Sequence, residues 1–278
     1  MDQKKEIITV IRPISRWEVL DVRQMFAFRD LLFAFGNRDI KLRYRQTALG
    51  VAWVLLQPIL ASVVMSFVFN RVAGLKAPDG LPYFVFSYAG MMGWNLFNTT
   101  LIKASGSLVL NTHLVSKVYF PKALIPLSSA FSNLLDFGVA FLLLIILLPV
   151  FGVAITWQIL LTPVWVFFFL LASLGIGLYS SALMVTYRDV QYVLPVFMNL
   201  IFYATPIAYG LNAVPASLTT ILSLNPLTGL LEGLRWSLLG TSELNANAIA
   251  YGVIVSVLMF VAGALLFGRS ERRFADVI

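Results

Sequence analysis

Asp136 is the one clear ionisable residue inside the longest apolar stretches of this sequence. In carriers, a carboxylate at such a depth takes part in proton or ion coupling. A lone buried Asp is more often kept neutral or hydrogen-bonded by its neighbours, and Ser128, Ser129, Ser132 and Asn133 lie on adjacent turns. We therefore expect a structural role for Asp136 and keep an ion-coupled carrier as an alternative.

Residues that would handle nucleotides or metals are missing from the sequence. No G-x-x-x-x-G-K-[ST] pattern occurs and Gly is never followed by Lys, so the cradle that holds nucleotide phosphates is lacking. His113 is the single histidine and cysteine is absent, which excludes thiolate and H-E-x-x-H metal sites. We expect no catalytic centre, no metal and no cofactor on this chain.

The composition indicates a membrane protein. Hydrophobic residues make up 59% of the 278 and charged residues 12%, with a mean hydropathy of +0.86. Soluble domains average roughly 45–50% apolar and about 25% charged residues. The net charge of +7 does not indicate nucleic-acid binding here, because membrane proteins carry their Lys and Arg on cytoplasmic segments.

Six stretches are long and apolar enough to cross the hydrocarbon core, which takes about 20 residues of helix. They cover residues 49–70, 83–102, 123–148, 157–183, 190–209 and 247–268. With a cytoplasmic N-terminus, 17 of the 20 Lys and Arg fall on inside segments, as the positive-inside rule requires. We therefore expect a multi-pass protein with both termini cytoplasmic.

The remaining segments complete an all-α integral membrane protein. Residues 1–48 are predicted to form a cytoplasmic tail and an N-terminal amphipathic interface helix, residues 49–268 the transmembrane domain, and residues 269–278 a second cytoplasmic tail. The apolar runs within 210–246 are too short to cross and are interrupted by Pro and Gly. They predict external re-entrant helices between spans five and six, where Glu232 and Arg235 are spaced to pair.

Several short motifs resemble one transporter family. The run from Arg38 to Gly50 (RDIKLRYRQTALG) resembles the start of the first span in type-2 ABC permeases. The stretch from Asn111 to Pro121 (NTHLVSKVYFP) is similar to that family's loop before span three. Further similar elements are YRDV at 187–190, FYATPI at 202–207 and NP at 225–226. Together they are most similar to the polysaccharide-export branch, the Wzm-like permeases for O-antigen, capsule or teichoic acid.

The resemblance implies a division of labour between chains. Two copies of this permease would form the pore of a homodimer in the bacterial inner membrane. Two copies of a separate ABC ATPase, which uses ATP and Mg²⁺, would dock on the cytoplasmic side. The cargo would be a lipid-linked polysaccharide.

The candidate ATPase contacts lie on the amphipathic helix and on the loop before span three. They are Arg38, Asp39, Lys41, Arg43, Tyr44, Arg45, His113, Lys117, Tyr119, Phe120 and Pro121. The basic members could instead hold anionic headgroups of membrane lipids, which contribute about 1 kcal/mol per basic residue.

The candidate substrate contacts are aromatic and amide side chains, because sugar rings stack on aromatics and sugar hydroxyls need hydrogen-bond partners. They are Tyr83, Phe84, Phe86, Tyr88, Trp94, Asn95, Phe97, Asn98, Tyr203 and Tyr209. For any one aromatic, packing between helices or against lipid is the commoner role.

Three other functions remain open at the level of sequence. A type-2 ABC permease for a drug or small lipid differs only through the resemblance above. An ion-coupled carrier depends on Asp136. A membrane enzyme acting on lipid ranks last, since no cluster of carboxylates or histidines accompanies a span.

Overall fold

A computed structural model describes residues 22–44, 52–211, 214–241 and 244–271 of the chain. Every regular element within these residues is helical. The predictions for the tails, residues 1–21 and 272–278, and for Arg45 lie outside the described residues, as does the side chain of Tyr44.

Eleven α-helices make up the described part of the chain. In order they are α1 (Val22–Ala27), α2 (Arg29–Tyr44), α3 (Ala52–Met65), α4 (Tyr83–Leu110), α5 (Thr112–Lys117), α6 (Leu124–Val150), α7 (Thr162–Thr186), α8 (Val190–Tyr203), α9 (Ala216–Ser223), α10 (Pro226–Leu239) and α11 (Ala246–Glu271). A π-helical stretch, Ser66–Val72, continues α3, and a short 3₁₀ turn, Trp157–Leu161, leads into α7.

Four helical segments are both long and apolar enough to cross a membrane: Ala52–Val72, Leu124–Val150, Trp157–Thr186 and Ala246–Glu271. They correspond to the predicted spans one, three, four and six. Helix α4, predicted as span two, has 28 residues and is about 42 Å long, but it carries many polar side chains. Helix α8, predicted as span five, has 14 residues, or about 21 Å. These four candidate spans are consistent with an integral, multi-pass membrane protein, whereas α4 and α8, predicted as spans two and five, do not meet the same criteria of length and apolarity.

Proline explains why α8 is shorter than the predicted span 190–209. The helix ends at Tyr203, and Pro206 follows within three residues. Proline has no N–H to donate and disfavours helical backbone at the residue before it. The chain therefore leaves the helix before residue 209 and continues as an irregular segment, residues 204–211.

Helix α4 lies at the centre of the fold. It packs against α3, α6, α7, α8 and α10, and most of its side chains are buried. The principal core cluster is built around it from aromatic and aliphatic residues of these helices. Because α4 is surrounded by protein, its Tyr, Asn, Ser and Thr groups are shielded from lipid, which explains how a helix with this polarity is accommodated.

Helices α7 and α11 pack against each other through glycines. A Cβ on Gly263 would overlap the carbonyl oxygen of Gly175, and a Cβ on Gly175 would lie 2.5 Å from the carbonyl oxygen of Met259. Small residues at these positions let the two backbones touch, as in many membrane helix pairs.

The predicted pair of short helices in residues 210–246 is present as α9 and α10. Asn225 caps α10, since its Oδ1 accepts a hydrogen bond 3.1 Å long from the N–H of Leu227, and Pro226 occupies the first turn. Gly240 ends the helix with a left-handed φ of 66°. The leucines of α10 are buried against α4, α7 and α11, so this helix is enclosed by protein.

Candidate functional site

Polar groups collect at the two ends of α4. One end, which we call the Asn111 end, comprises α2, the last turns of α4, α5 and the first turns of α6. The other, the Tyr83 end, comprises the start of α4, the turn Pro78–Gly80, residues 204–211 and α10. The predicted ATPase contacts that the structure describes lie at the Asn111 end, and the predicted substrate contacts lie along α4 and toward the Tyr83 end.

Helix α2 is fixed to the rest of the Asn111 end by aromatic packing. The rings of Phe33 and Phe131 meet edge to face with centroids 5.3 Å apart, and those of Phe35 and Phe120 are 5.7 Å apart. Phe35 and Phe120 are both buried. A helix is therefore present where the amphipathic helix was predicted, and it packs mainly on α6.

Arg38 connects α2 to the junction of α4 and α5. Its Nη1 donates to Oδ1 of Asn111 over 2.8 Å, and its Nη2 donates to Oδ1 of Asp39 over 2.9 Å. Asn111 in turn donates to the carbonyl of Ser107 in α4. The bond to Asn111 therefore joins α2 to the end of α4, while Asp39, on the same helix as Arg38, orients the guanidinium.

The predicted ATPase contacts within residues 113–121 differ in their exposure to solvent. His113, Lys117 and Tyr119 are exposed, whereas Phe120 is buried and Pro121 is half-buried. Phe120 therefore anchors the segment, and the exposed residues are the ones that a partner protein can reach.

Lys122 holds the turn between α5 and α6 together. Its ammonium donates to the carbonyls of Val115 and Val118, and its backbone N–H donates to Oε1 of Glu271 over 2.9 Å. Burial lowers the pKa of Lys122, and the nearby carboxylate of Glu271 opposes that shift. The turn thus joins the end of α11 to the start of α6.

Asp136 forms an ion pair with Arg43. Arg43 Nη1 lies 2.5 Å from Asp136 Oδ2, and the two side chains are 31% and 15% exposed. The expectation that neighbouring hydroxyls would satisfy this carboxylate is wrong for Ser128 and Ser129, whose single O–H groups donate to carbonyls of their own helix. The charge of Asp136 is balanced instead by a residue of α2.

Lys103 completes this group of charges and was not singled out from the sequence. Its Nζ donates to Ser132 Oγ over 3.0 Å and to Asn133 Oδ1 over 2.8 Å. Asn133 also donates to Thr100 of α4, so α4 and α6 are joined by a continuous set of polar contacts. A cavity of about 580 Å³ beside them is lined by Arg38, Arg43 and Lys103, among others.

Half of the predicted substrate contacts are buried within a single chain. These are Tyr83, Phe86, Tyr88, Trp94 and Phe97. The Tyr88 hydroxyl donates to the carbonyl of Ala140 over 3.2 Å, and the Trp94 ring contacts that of Phe202. Packing within the chain therefore takes up the surface of these five side chains.

The other predicted substrate contacts retain surface. Tyr203 is 77% exposed, and the remaining members are half-buried: Phe84, Asn95, Asn98 and Tyr209. Their role in transport stays a prediction.

Arg235 organises the Tyr83 end. This buried side chain donates from Nη1 to the carbonyl of Pro206 over 2.9 Å and from Nη2 to that of Ile207. Its guanidinium carbon lies 3.9 Å from the ring centroid of Phe86. The Tyr83 hydroxyl donates to the next carbonyl, that of Ala208. Irregular backbone is tolerated at membrane depth where protein satisfies its carbonyls, and these two residues do so here.

Comparison with known proteins agrees with this architecture. The sequence profile of the ABC-2 type transporter matches residues 30–239, from α2 to the end of α10. The chain belongs to the ABC-2 type transporter family. The resemblance drawn from the short motifs is thereby confirmed.

Individual relatives of this ABC-2 transporter match over nearly their whole length. The O-antigen export system permease protein RfbA of Myxococcus xanthus is 29% identical over 259 residues, 92% of this chain and 98% of the relative. A Klebsiella pneumoniae protein of the same name is 27% identical over 90% of this chain and 95% of its own. The polysialic acid transport protein KpsM of Escherichia coli is 24% identical over 84% and 91%.

Proposed function

We propose that this chain is the permease subunit of an ATP-driven exporter that moves lipid-linked polysaccharide across the bacterial inner membrane. The observation that carries the proposal is the match to an O-antigen export permease over 98% of that protein's length. A match of this extent aligns the whole transmembrane domain together with the segments at both ends of α4. The membrane spans and the family assignment agree with a transport role.

The proposal includes six crossings, with α4 and α8 added to the four candidate spans. In such an arrangement the Asn111 end faces the cytoplasm and α9 and α10 form the external re-entrant pair. The basic residues support this orientation, since Arg38, Lys41, Lys103 and Lys117 all lie at the Asn111 end.

Energy is proposed to come from a separate ABC ATPase, two copies of which bind a homodimer of this permease. The docking surface consists of the exposed residues Lys41, His113, Lys117 and Tyr119. A displacement of this surface would be transmitted to the spans through Arg38, because its hydrogen bond to Asn111 joins α2 to the end of α4.

The decisive experiment measures export in cells that lack the chain. Expression of the chain with its ATPase is expected to restore polysaccharide on the cell surface, and vanadate is expected to block that export. An ATPase whose phosphate-binding lysine is replaced serves as the control. Export that continues with this inactive ATPase, or that follows an ion gradient alone, would contradict the proposal.

The docking surface is tested by charge reversal. Lys41→Glu and Lys117→Glu are expected to reduce co-purification of the ATPase, because each places a carboxylate where acidic groups of the partner would be bound. Lys76→Glu is the matched control, since Lys76 is also exposed but lies in the loop before α4, at the Tyr83 end. Equal loss of ATPase in all three variants would show that the effect is not local.

A further inference from the structure

A cavity of about 510 Å³ lies at the Tyr83 end. It is lined by the turn Pro78–Gly80, by Phe86 of α4, by Pro206 and residues 209–211, by parts of α9 and α10, and by residues of the loop that precedes α11. Small-molecule sites in proteins have volumes of about 300–1,000 Å³. The cavity is therefore large enough for a compact organic group.

One wall of the cavity is rigid and polar. Arg235 lines it, is 4% exposed, and is fixed by its hydrogen bonds to the Pro206 and Ile207 carbonyls. Its Nε has no hydrogen-bond acceptor within the described part of the chain. Such a wall, held by a buried guanidinium and main-chain groups, is preformed, which lowers the entropic cost of binding.

The rest of the lining is rich in hydrogen-bond acceptors and hydroxyls. Asp79 and Glu232 contribute carboxylates, and Tyr209, Thr241 and Asn245 contribute hydroxyl and amide groups. Asp79 has a left-handed φ of 56° between Pro78 and Gly80, a conformation that Asp tolerates better than most residues. The turn thereby places a carboxylate at the cavity.

The carboxylates, hydroxyls and guanidinium of the cavity favour a neutral ligand with several hydroxyl groups. Two carboxylates against one guanidinium disfavour an anion, and no group of three or more His, Cys, Asp or Glu suited to a metal occurs among the described residues. A carboxylate offers about four acceptor sites, so it can accept hydroxyl donors beyond its existing contacts. Vicinal hydroxyls supply such donors, and the Tyr209 ring offers a surface for the C–H face of a sugar.

We propose that this cavity binds a neutral sugar unit of the exported polymer at the external side of the permease. The inference rests on the proposed function and adds a location and a charge preference to it. Asp79 and Glu232 accept sugar hydroxyls, Tyr209 contacts the ring face, and Arg235 holds the wall in place. Acidic sugars are disfavoured by the two carboxylates.

The natural absence of cysteine makes a direct test possible. Thr219→Cys introduces one thiol on the cavity lining, and Ser217→Cys introduces one on the exposed surface of the same helix, α9. Each variant is purified with its ATPase in nanodiscs and labelled with a maleimide. The probes are neutral oligosaccharides released from the host's own surface polymer, and oligomers of sialic acid as the acidic counterpart.

Neutral oligosaccharide is expected to slow labelling at Thr219→Cys and to leave Ser217→Cys unaffected. Asp79→Asn or Glu232→Gln, placed in the Thr219→Cys background, should raise the concentration that gives half-protection about tenfold, since each weakens a charge-assisted hydrogen bond. No protection at Thr219→Cys, equal protection at Ser217→Cys, or equal protection by sialic acid oligomers would overturn the inference. The Thr219→Cys result stands even if a carboxylate variant fails to fold.

The same samples separate this inference from the proposed function. If the unaltered permease exports polymer with its ATPase but Thr219→Cys is not protected, the sugar site is refuted and the proposed exporter function stands. If the unaltered permease shows no ATP-dependent export, the proposed function itself is refuted.

Discussion

The ion pair between Arg43 and Asp136 gives the sharpest test of how α2 is attached to the spans. Asp136 is 15% exposed and Arg43 is 31% exposed. Breaking a fully buried pair costs about 3–5 kcal/mol, whereas an exposed pair contributes about 0–1 kcal/mol. This pair lies between those limits, so Arg43→Gln or Asp136→Asn alone should lower the free energy of unfolding by about 1–3 kcal/mol.

The double variant Arg43→Gln/Asp136→Asn should cost less than the sum of the single variants, because neither charge is then left without its partner. Thermal unfolding of the purified permease in detergent measures all three. The matched control on the same helix is Arg29 with Asp30, a pair 3.9 Å apart whose side chains are 58% and 96% exposed. Its removal should change stability by less than about 1 kcal/mol.

Strictly additive losses for Arg43 and Asp136 would refute the pairing, as would losses no greater than those of the control pair. The same variants address the ion-coupled carrier. If the double variant still exports its cargo with ATP, Asp136 is not a coupling carboxylate. If export is lost while the fold and the ATPase contact remain intact, the structural role assigned to Asp136 is contradicted.

Three further predictions concern other contacts of the fold. Gly90→Ala should destabilise the protein by about 1–3 kcal/mol, because the added Cβ would lie 2.7 Å from the Ile207 carbonyl oxygen. Gly138→Ala is the control, since a Cβ there would have no atom within 4 Å. Equal melting temperatures for the two variants would contradict the close approach at Gly90. Lys103→Met should lower export more than it lowers assembly with the ATPase, since it removes the two hydrogen bonds that Lys103 of α4 donates to α6. Unchanged export would show that these two bonds are not needed for transport. Asn225→Ala should cost more than about 1 kcal/mol in unfolding experiments, because it removes both the cap of α10 and the hydrogen bond from Nδ2 to Thr205. Asn225→Asp keeps the capping oxygen and loses only the donor, so it should cost less, and an equal loss in both would argue against capping.

The sequence was sufficient for the elements whose signals are local. Hydropathy and length identified the four candidate spans, and the short apolar runs interrupted by Pro and Gly within 210–246 predicted the short helices found as α9 and α10. These signals depend on residues close together in the chain, where propensity, capping chemistry and burial act directly. The family resemblance was also readable, because it lies in short contiguous motifs.

What the sequence did not predict was which distant residues meet. Arg43 and Asp136 are far apart in the chain, and each had several plausible partners. Lys103 falls just beyond the predicted span 83–102, although it lies inside α4 and donates to α6. Among the aromatics, the same residue types serve packing and sugar contact, so only the fold could show that Tyr88 is fully buried.

The arrangement around α4 suggests how the two ends of the permease communicate. Arg38 joins α2 to Asn111 at one end, while Gly90 near the other end lies against Arg235 and the Ile207 carbonyl. Because α4 is packed on most sides by other helices, it can shift only together with its neighbours and not by bending freely. A displacement that an ATPase imposes at the Asn111 end would therefore alter the contact between α4 and residues 206–208. Pro206 lines the cavity at the Tyr83 end. If that cavity binds a sugar unit as proposed, its affinity would depend on the state of the ATPase, and by linkage the bound sugar would bias the ATPase in turn.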